Sequence, residues 1–499
     1  MRRPAALGLA GAGLFIAALD AYVVVTLLPA MMGDVGLTID RIEQATPIVT
    51  GFLAGYVVAM PLLGAYSDAH GRVPVYLACL AAFGAGSLVT ATAGLFAFAG
   101  LPWLVAGRFV QGLGGGGLVP LSLALAADMY KGRSRFLALG GVAAFQEAGS
   151  VFGPLYGATV AAAAAAAGGW RFVFWLNLPL AAVCGTGLVL TARRRPDDEV
   201  DTARKSVDWL GAALLGLGLG LVVLALYPDD PEHRAVNSLF VPAGLGAIAA
   251  LAAFAFVQAR RPEPLVPREL WRSRVVIGVA LANLLVGAAL MVALLDVPIL
   301  GRLVFRLDQL ASGLLLTQFL VGVPVGAALG GWAGARLGSR VTAVAGMCVS
   351  AAAFFAMSGW RADELSVHLG PLTQADVALA VCGLGFGVVI APLTSAVLAI
   401  TRDESHGLAT SLVVLARTTG MLLGLAGLTA FGLYRFRQIL GTPVLNDPDI
   451  RARLRHLDQL VTAAFLQEYR EIFLIAAGIC LVAAAVSAVA VRPPKPARV

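Results

Sequence analysis

Charge is scarce in this sequence. Asp, Glu, Lys and Arg make up only 13% of its 499 residues, where a soluble domain carries roughly 25%, so water cannot be faced on all sides. Cysteine is scarce too. All five (Cys79, Cys184, Cys348, Cys382, Cys480) fall inside apolar runs rather than loops, which excludes a disulfide framework. The five histidines have no spacing that suits a metal. No Walker sequence, HExxH or GxSxG is present, so neither ATP-driven transport nor hydrolysis has support, and no enzyme activity is expected. Gly112-Leu-Gly114-Gly-Gly-Gly117 matches GxGxxG, but it lies within an apolar span and follows no strand, so the dinucleotide reading is discarded.

What the chain has instead is apolar length. Hydrophobic residues make up 59%, the mean hydropathy is +0.85, and the apolar residues come in runs long enough to span a bilayer. The first run, from about Pro4 to Met32, is too long for the core of a signal peptide and is expected to stay attached. In all, fourteen candidate helices are present, at about 5–32, 46–67, 73–97, 101–129, 135–166, 170–192, 207–227, 238–259, 275–301, 309–335, 340–359, 371–401, 406–437 and 465–491. Each crosses roughly 30 Å of hydrocarbon at 1.5 Å per residue. The expected fold class is an all-α membrane protein.

The net charge of +7 could suggest a nucleic-acid partner, but its distribution explains it better. Loops on the side of the N-terminus hold 22 Lys and Arg; the other side holds 12, six of them in one segment between Arg435 and Arg470. By the positive-inside rule both termini are cytoplasmic. No nucleic acid is expected.

Two features break the regularity. The helices at 207–227 and 238–259 separate six helices from six, which divides the chain into 1–195, a linker pair 196–270, and 271–499. The outward segment at about 431–471 places Ile450, Leu454, Leu457, Leu460 and Val461 at helical spacing, so residues 448–470 read as an amphipathic extension. An internal repeat supports the division. Gly64-Ala-Tyr-Ser-Asp68-Ala-His-Gly71-Arg72 follows the second helix, and Gly331-Trp-Ala-Gly-Ala335-Arg336-Leu-Gly338-Ser-Arg340 stands at the matching place in the second half. Ala335 replaces Asp68 there.

These residues resemble the major facilitator superfamily over essentially the whole chain. Gly64-x3-Asp68-x2-Gly71-Arg72 is similar to its loop 2–3 motif, and Arg108-Phe-Val-Gln111-Gly112-Leu-Gly114 to its fourth-helix motif. Gly140-x8-Gly149-x3-Gly153-Pro154-x2-Gly157-Ala158 is similar to the antiporter motif of the fifth helix, with Ala158 where glycine is usual. Leu19-Asp20-x5-Thr26-x2-Pro29 and Trp170-Arg171-Phe172 through Asn177-x-Pro179 resemble the fourteen-helix drug:proton antiporter branch. The resemblance implies a major facilitator fold, with two six-helix halves, two linker helices and energy from the proton motive force rather than a cofactor. Within that branch, Asp20, Glu147 and Arg417, together with the long last two helices, resemble the mycobacterial triacylglyceride exporters. That resemblance implies a monomer in the inner membrane, a lipid or amphiphilic substrate, and a periplasmic lipid-carrying lipoprotein of the LprG type as partner.

A charge at mid-membrane costs about 3 kcal/mol or more, so each one is a functional candidate. Asp20 lies 17 residues beyond Arg3, and Arg108 lies 22 residues before Tyr130, which puts both in the outer half. They are candidates for proton coupling, or else form a static pair locking two helices. Glu147 lies 12 residues beyond Arg135 and Arg417 lies 11 beyond His406, so both sit at similar depth on opposite halves. They are candidates for a gate that protonation of Glu147 breaks, which adds Glu147 to Asp20 and Arg108 as a proton-coupling residue, or for a permanent bridge. The family resemblance implies that Asp68 and Arg72 lock the halves in the outward-facing state, and Asp68 is placed to cap the base of the helix at 406–437. Gly149, Gly153, Pro154 and Gly157 are expected to permit close packing and a kink. Asp296, near the outer end of its span, is assigned to the membrane interface. The expected function is proton-coupled lipid export, with a multidrug:proton antiporter and a non-transporting lipid-handling protein as the alternatives.

Overall fold

In hydrocarbon no water is available to backbone N–H and C=O groups, so a long apolar run must satisfy them within itself and become a helix. The computed structural model of the chain follows this rule. It describes residues 3–37, 45–96, 100–164, 169–192, 208–228, 236–261, 264–369, 372–440 and 450–491. The first six helices are α1 (Arg3–Asp34), α2 (Thr46–His70), α3 (Arg72–Ala91), α4 (Leu101–Met129), α5 (Arg133–Ala163) and α6 (Trp170–Ala192). Next come α7 (Trp209–Leu226), α8 (Phe240–Arg260) and the short α9 (Arg268–Arg272). The rest are α10 (Arg274–Leu303), α11 (Gln309–Leu315), α12 (Thr317–Leu337), α13 (Ser339–Met357), α14 (Gln374–Leu398), α15 (His406–Leu440) and α16 (Ile450–Ala490). Among the described residues, fourteen segments are long and apolar enough to cross a membrane, α11 and α12 together making one of them. A two-residue antiparallel pairing, His368–Leu369 with Leu372–Thr373, lies between α13 and α14.

Polar side chains mark several helix starts. Asp208, Ser273 and Asp308 accept from the first turns of α7, α10 and α11, and Thr373 with Asp376 forms a reciprocal capping box at α14. The tight turns between α2 and α3 and between α12 and α13 each need a left-handed residue. Gly71 (φ +90°) and Gly338 (φ +81°) supply it, and these are the two repeat positions matched in the sequence. Both turns lie on the face where the chain's Lys and Arg concentrate, called the basic face below.

The halves repeat in packing as they do in sequence. α2 packs on α4, α1 on α5, and α3 on α4 and α6; correspondingly α12 packs on α14, α10 on α15, and α13 on α14 and α16. Two seams join the halves, α5 against α12 and α2 against α15. Glycine permits both. A Cβ at Gly331 would stand 2.6 Å from the Phe136 carbonyl and one at Gly407 2.5 Å from the Gly64 carbonyl, distances that no side chain tolerates. The additional pair α7 and α8 pack on each other, and α7 lies on α2 and touches α15.

The last two helices outrun the bilayer. α15 has 35 residues and α16 has 41, about 52 and 62 Å at 1.5 Å per residue. The amphipathic stretch expected at 448–470 is continuous from Ile450 with the membrane span, while 441–449 lies outside the described residues. Toward their ends away from the basic face the two helices are clamped by a bidentate Arg435–Glu471 pair (2.6 and 2.8 Å) and by stacked Phe436 and Phe465. Arg306, in the loop after α10, reaches Asp458 on α16 at 2.5 Å.

Candidate functional site

Four helices of the first half converge on Asp20. Its carboxylate accepts from Arg108 Nη1 of α4 (2.7 Å) and from Asn177 Nδ2 of α6 (2.7 Å). Arg108 also donates to Gln111 Oε1 (2.9 Å), and Gln111 donates to Ser87 Oγ of α3 (2.7 Å), which Asn177 reaches as well at 3.2 Å. Asp20 and Arg108 are each 1% exposed. The guanidinium lies 4.3 Å from the Phe52 ring centre, a cation–π contact. Glycines make the convergence possible. A Cβ at Gly114 would stand 2.5 Å from the Cys79 carbonyl of α3, and Gly112 and Gly116 abut the α2 backbone at Phe52 and Tyr56. The glycine run rejected as a nucleotide loop thus lets α2 and α3 close around α4.

The antiporter-type glycines of α5 face α1 on either side of Asp20. Gly149 abuts the Phe15 carbonyl, a Cβ at Gly153 would stand 2.6 Å from the Leu19 carbonyl, and one at Gly157 2.9 Å from Thr26 Oγ1. Pro154 lies within α5, its side chain outside the described residues. Gly153→Leu is expected to push α1 off α5, costing about 1–3 kcal/mol. Thermal melting in detergent should fall, and an unchanged melt would show that the contact is loose.

Glu147 and Arg417 meet across the halves. Arg417 Nη2 of α15 stands 3.2 Å from Glu147 Oε1 of α5, with the side chains 11% and 14% exposed. Tyr22 of α1 and Tyr56 of α2 lie within electrostatic reach of the pair.

The α2–α15 seam is sealed at the basic face. The first N–H groups of a helix lack intrahelical acceptors. At α15 those of Gly407 and Leu408 are both taken by Asp68 of the other half, each at 2.9 Å. Arg72 pairs with Asp68, donates to Asp128 Oδ2 of α4 (3.0 Å) and to Ser67 Oγ (2.8 Å), and reaches the Asp403 carbonyl (3.4 Å). Asp128 closes the ring through His406 Nδ1 at 2.7 Å. The carboxylate of α2 and the helix dipole of α15 attract each other only while the halves touch here.

The sequence model of the Major Facilitator Superfamily matches residues 10–425. The chain belongs to the major facilitator superfamily. It is similar to proteins named triacylglyceride transporters. One, from Mycobacteroides abscessus, is 40% identical over 450 residues, covering 89% of this chain and 85% of that one. Another, from Mycobacterium tuberculosis, is 39% identical over 489 residues, covering 96% and 93%. Among solved structures, the human organic anion transporter MFSD10 superposes with a TM-score of 0.60 at 18% identity, covering 96% of this chain and all (100%) of that one. The proton:xylose symporter XylE gives 0.58 at 14%, covering 95% and 94%. These structural likenesses establish the fold. The protein is a multi-pass membrane transporter with major facilitator architecture, not an enzyme.

For this major facilitator protein the structure brings the charges singled out in the sequence into three groups: Asp20 with Arg108, Glu147 with Arg417, and Asp68 with Arg72. It also adds partners. Gln111 and Asn177 stood in the quoted motifs without a role, while Ser87, Asp128 and His406 carried no expectation at all. Asp296 is corrected. It is 7% exposed, with Oδ2 unpartnered among the described residues, and it lies within electrostatic reach of buried Glu468 on α16. It shares its helix face with Ala289, Val292, Ala293 and Leu300, all buried, so it faces the second half's interior rather than the membrane interface. Among the described residues no group of three or more His, Cys, Asp or Glu could hold a metal.

Proposed function

We propose that this transporter exports triacylglyceride, or a closely related neutral lipid, from the inner membrane toward the periplasm by proton-coupled alternating access. The observation that carries the substrate is the 39–40% identity over nearly the whole chain to proteins named triacylglyceride transporters. The coupling reading is supported by Asp20, a carboxylate buried in the membrane against Arg108, where protonation and the pairing with Arg108 exclude each other. Glu147 and Arg417 act as the gate between halves, and Asp68 with Arg72 locks the basic face. The Lys and Arg excess supports a cytoplasmic basic face, with both termini on that side. The state described is then outward-facing at the α2–α15 seam. The long α15–α16 hairpin leads lipid away from the bilayer toward a periplasmic lipid-carrying lipoprotein, and the transporter acts as a monomer.

Proteoliposomes holding the full chain and labelled triacylglyceride test the reading. An imposed pH gradient is expected to drive lipid transfer to an acceptor phase at least about tenfold faster than a dissipated one. A multidrug antiporter would instead move a lipophilic cation under the same gradient and leave triacylglyceride in place, and that result would sink the lipid assignment.

A further inference from the structure

The two seams between the halves are related by the internal repeat, yet they end differently at the basic face. At α2–α15 a carboxylate, Asp68, caps the incoming helix. At α5–α12 the matching residue is Ala335, and the start of α5 has no side-chain cap. A cavity of about 1520 Å³ opens at this uncapped seam, lined by Gly132 at the start of α5 and by Gly334 and Ala335 of α12.

The cavity is strongly basic. Arg133, Arg135, Arg268, Arg274, Arg336 and Arg402 line it, against the carboxylates of Glu269 and Glu404. Among the described residues only Arg402 has a carboxylate partner, Glu269 at 3.2 Å, and the other five arginines meet none. Arg135 and Arg268 donate to the backbone carbonyls of Tyr130 and Ala259, and Arg336 stacks over Trp332. Part of the wall is apolar, with Phe136, Leu337 and Ile400. Trp271 and Trp332 stand 54% and 48% exposed beside it, and exposed tryptophans mark the headgroup level of a bilayer. Guanidinium groups and a free helix N-terminus both favour phosphate oxygens. A free phosphate fills only a few water volumes of about 30 Å³ each and leaves the apolar wall uncovered, whereas a lipid brings the start of its chains.

We propose that this cavity binds the phosphodiester headgroup of an anionic phospholipid from the leaflet at the basic face. The bound phosphate takes at the α5–α12 seam the place that Asp68 takes at the α2–α15 seam, and so holds the halves together where, among the described residues, no carboxylate caps the incoming helix. Closure of the basic face then depends on the charge of the surrounding lipid. None of the arginines named belongs to the Asp20 or Glu147 groups, so the site stands or falls apart from the transport reading.

The test is thermal melting and native mass spectrometry of the purified full chain. Phosphatidylglycerol, phosphatidylcholine and inorganic phosphate are added in turn at matched concentration. Phosphatidylglycerol alone is expected to raise the melting temperature and to remain bound in the spectrum. Combining Arg133→Gln, Arg274→Gln and Arg336→Gln should raise the half-saturating lipid concentration about fivefold for each arginine removed, and the matching Lys variants should retain binding. Ala335→Asp gives a readout that needs no charge removal. It supplies the missing carboxylate, so it should stabilise the lipid-free protein and blunt the response to phosphatidylglycerol. Equal stabilisation by phosphatidylcholine or by inorganic phosphate would overturn the proposal. So would an Ala335→Asp variant that responds to phosphatidylglycerol as the parent does.

Discussion

Asp20→Asn is expected to bring gradient-driven transport down to background, a loss of about a hundredfold or more, and to lower stability as well. Asparagine preserves the shape of the site and can still accept from Asn177 and Arg108, but it removes the only carboxylate among the described residues that pairs with Arg108. An uncompensated guanidinium at 1% exposure costs about 3–5 kcal/mol when its partner is removed, offset in part by the Phe52 ring beneath it. Loss of activity in the single variant therefore has two causes, the missing proton site and the damaged fold. Asp20→Asn combined with Arg108→Gln separates them, because it removes both charges and leaves no orphan. If Asp20 carries the coupled proton, the double variant melts close to the parent while transport stays at background. Recovery of gradient-driven transport in the double variant would show a static pair that only fastens α1 to α4.

Much of this site was legible because charge in an apolar span is rare and must find a partner. Once Asp20, Arg108, Glu147 and Arg417 were placed by depth from the nearest basic loop, their pairing followed from matching depths. Neutral polar residues escaped that reasoning. Ser87, Gln111 and Asn177 barely disturb the hydropathy of their helices, so nothing in a single sequence separates a network member from a residue bonded to its own backbone, as Asn283 is to the Val279 carbonyl. Asp296 differs for another reason: its depth lies near the outer end of its span, but the helical period sets it on the buried face of Ala289, Val292 and Leu300. His406 has no metal spacing to mark it, and its partner Asp128 lies in the other half of the molecule, 278 positions away. The substitution of Ala335 for Asp68 was visible in the repeat, but its consequence was not, because the cavity is built from five separate segments that only the fold brings together.

Glu147→Gln is expected to slow transport about tenfold or more and to shift the resting population away from the state closed at the basic face. The pair joins α5 of one half to α15 of the other at 3.2 Å. Its attraction therefore counts toward a conformational preference only if opening the basic face pulls the two apart. Two unit charges at that spacing attract by about 5 kcal/mol at an effective dielectric of 20. The side chains keep some exposure and recover part of this in solvation on separating, so a net bias of about 1–3 kcal/mol is the reasonable expectation. That is roughly a five- to hundredfold change in population. A double-mutant cycle decides between gate and strut. Glu147→Gln, Arg417→Gln and the double variant are compared with the parent by spin-label distances between the basic-face ends of α2 and α15. A coupling energy of that size in the open–closed equilibrium means the pair breaks as the halves part, so that protonating Glu147 can trigger the movement. A coupling near zero means the pair survives in both states, and the gate must then be sought in the Asp68–Arg72–Asp128–His406 ring.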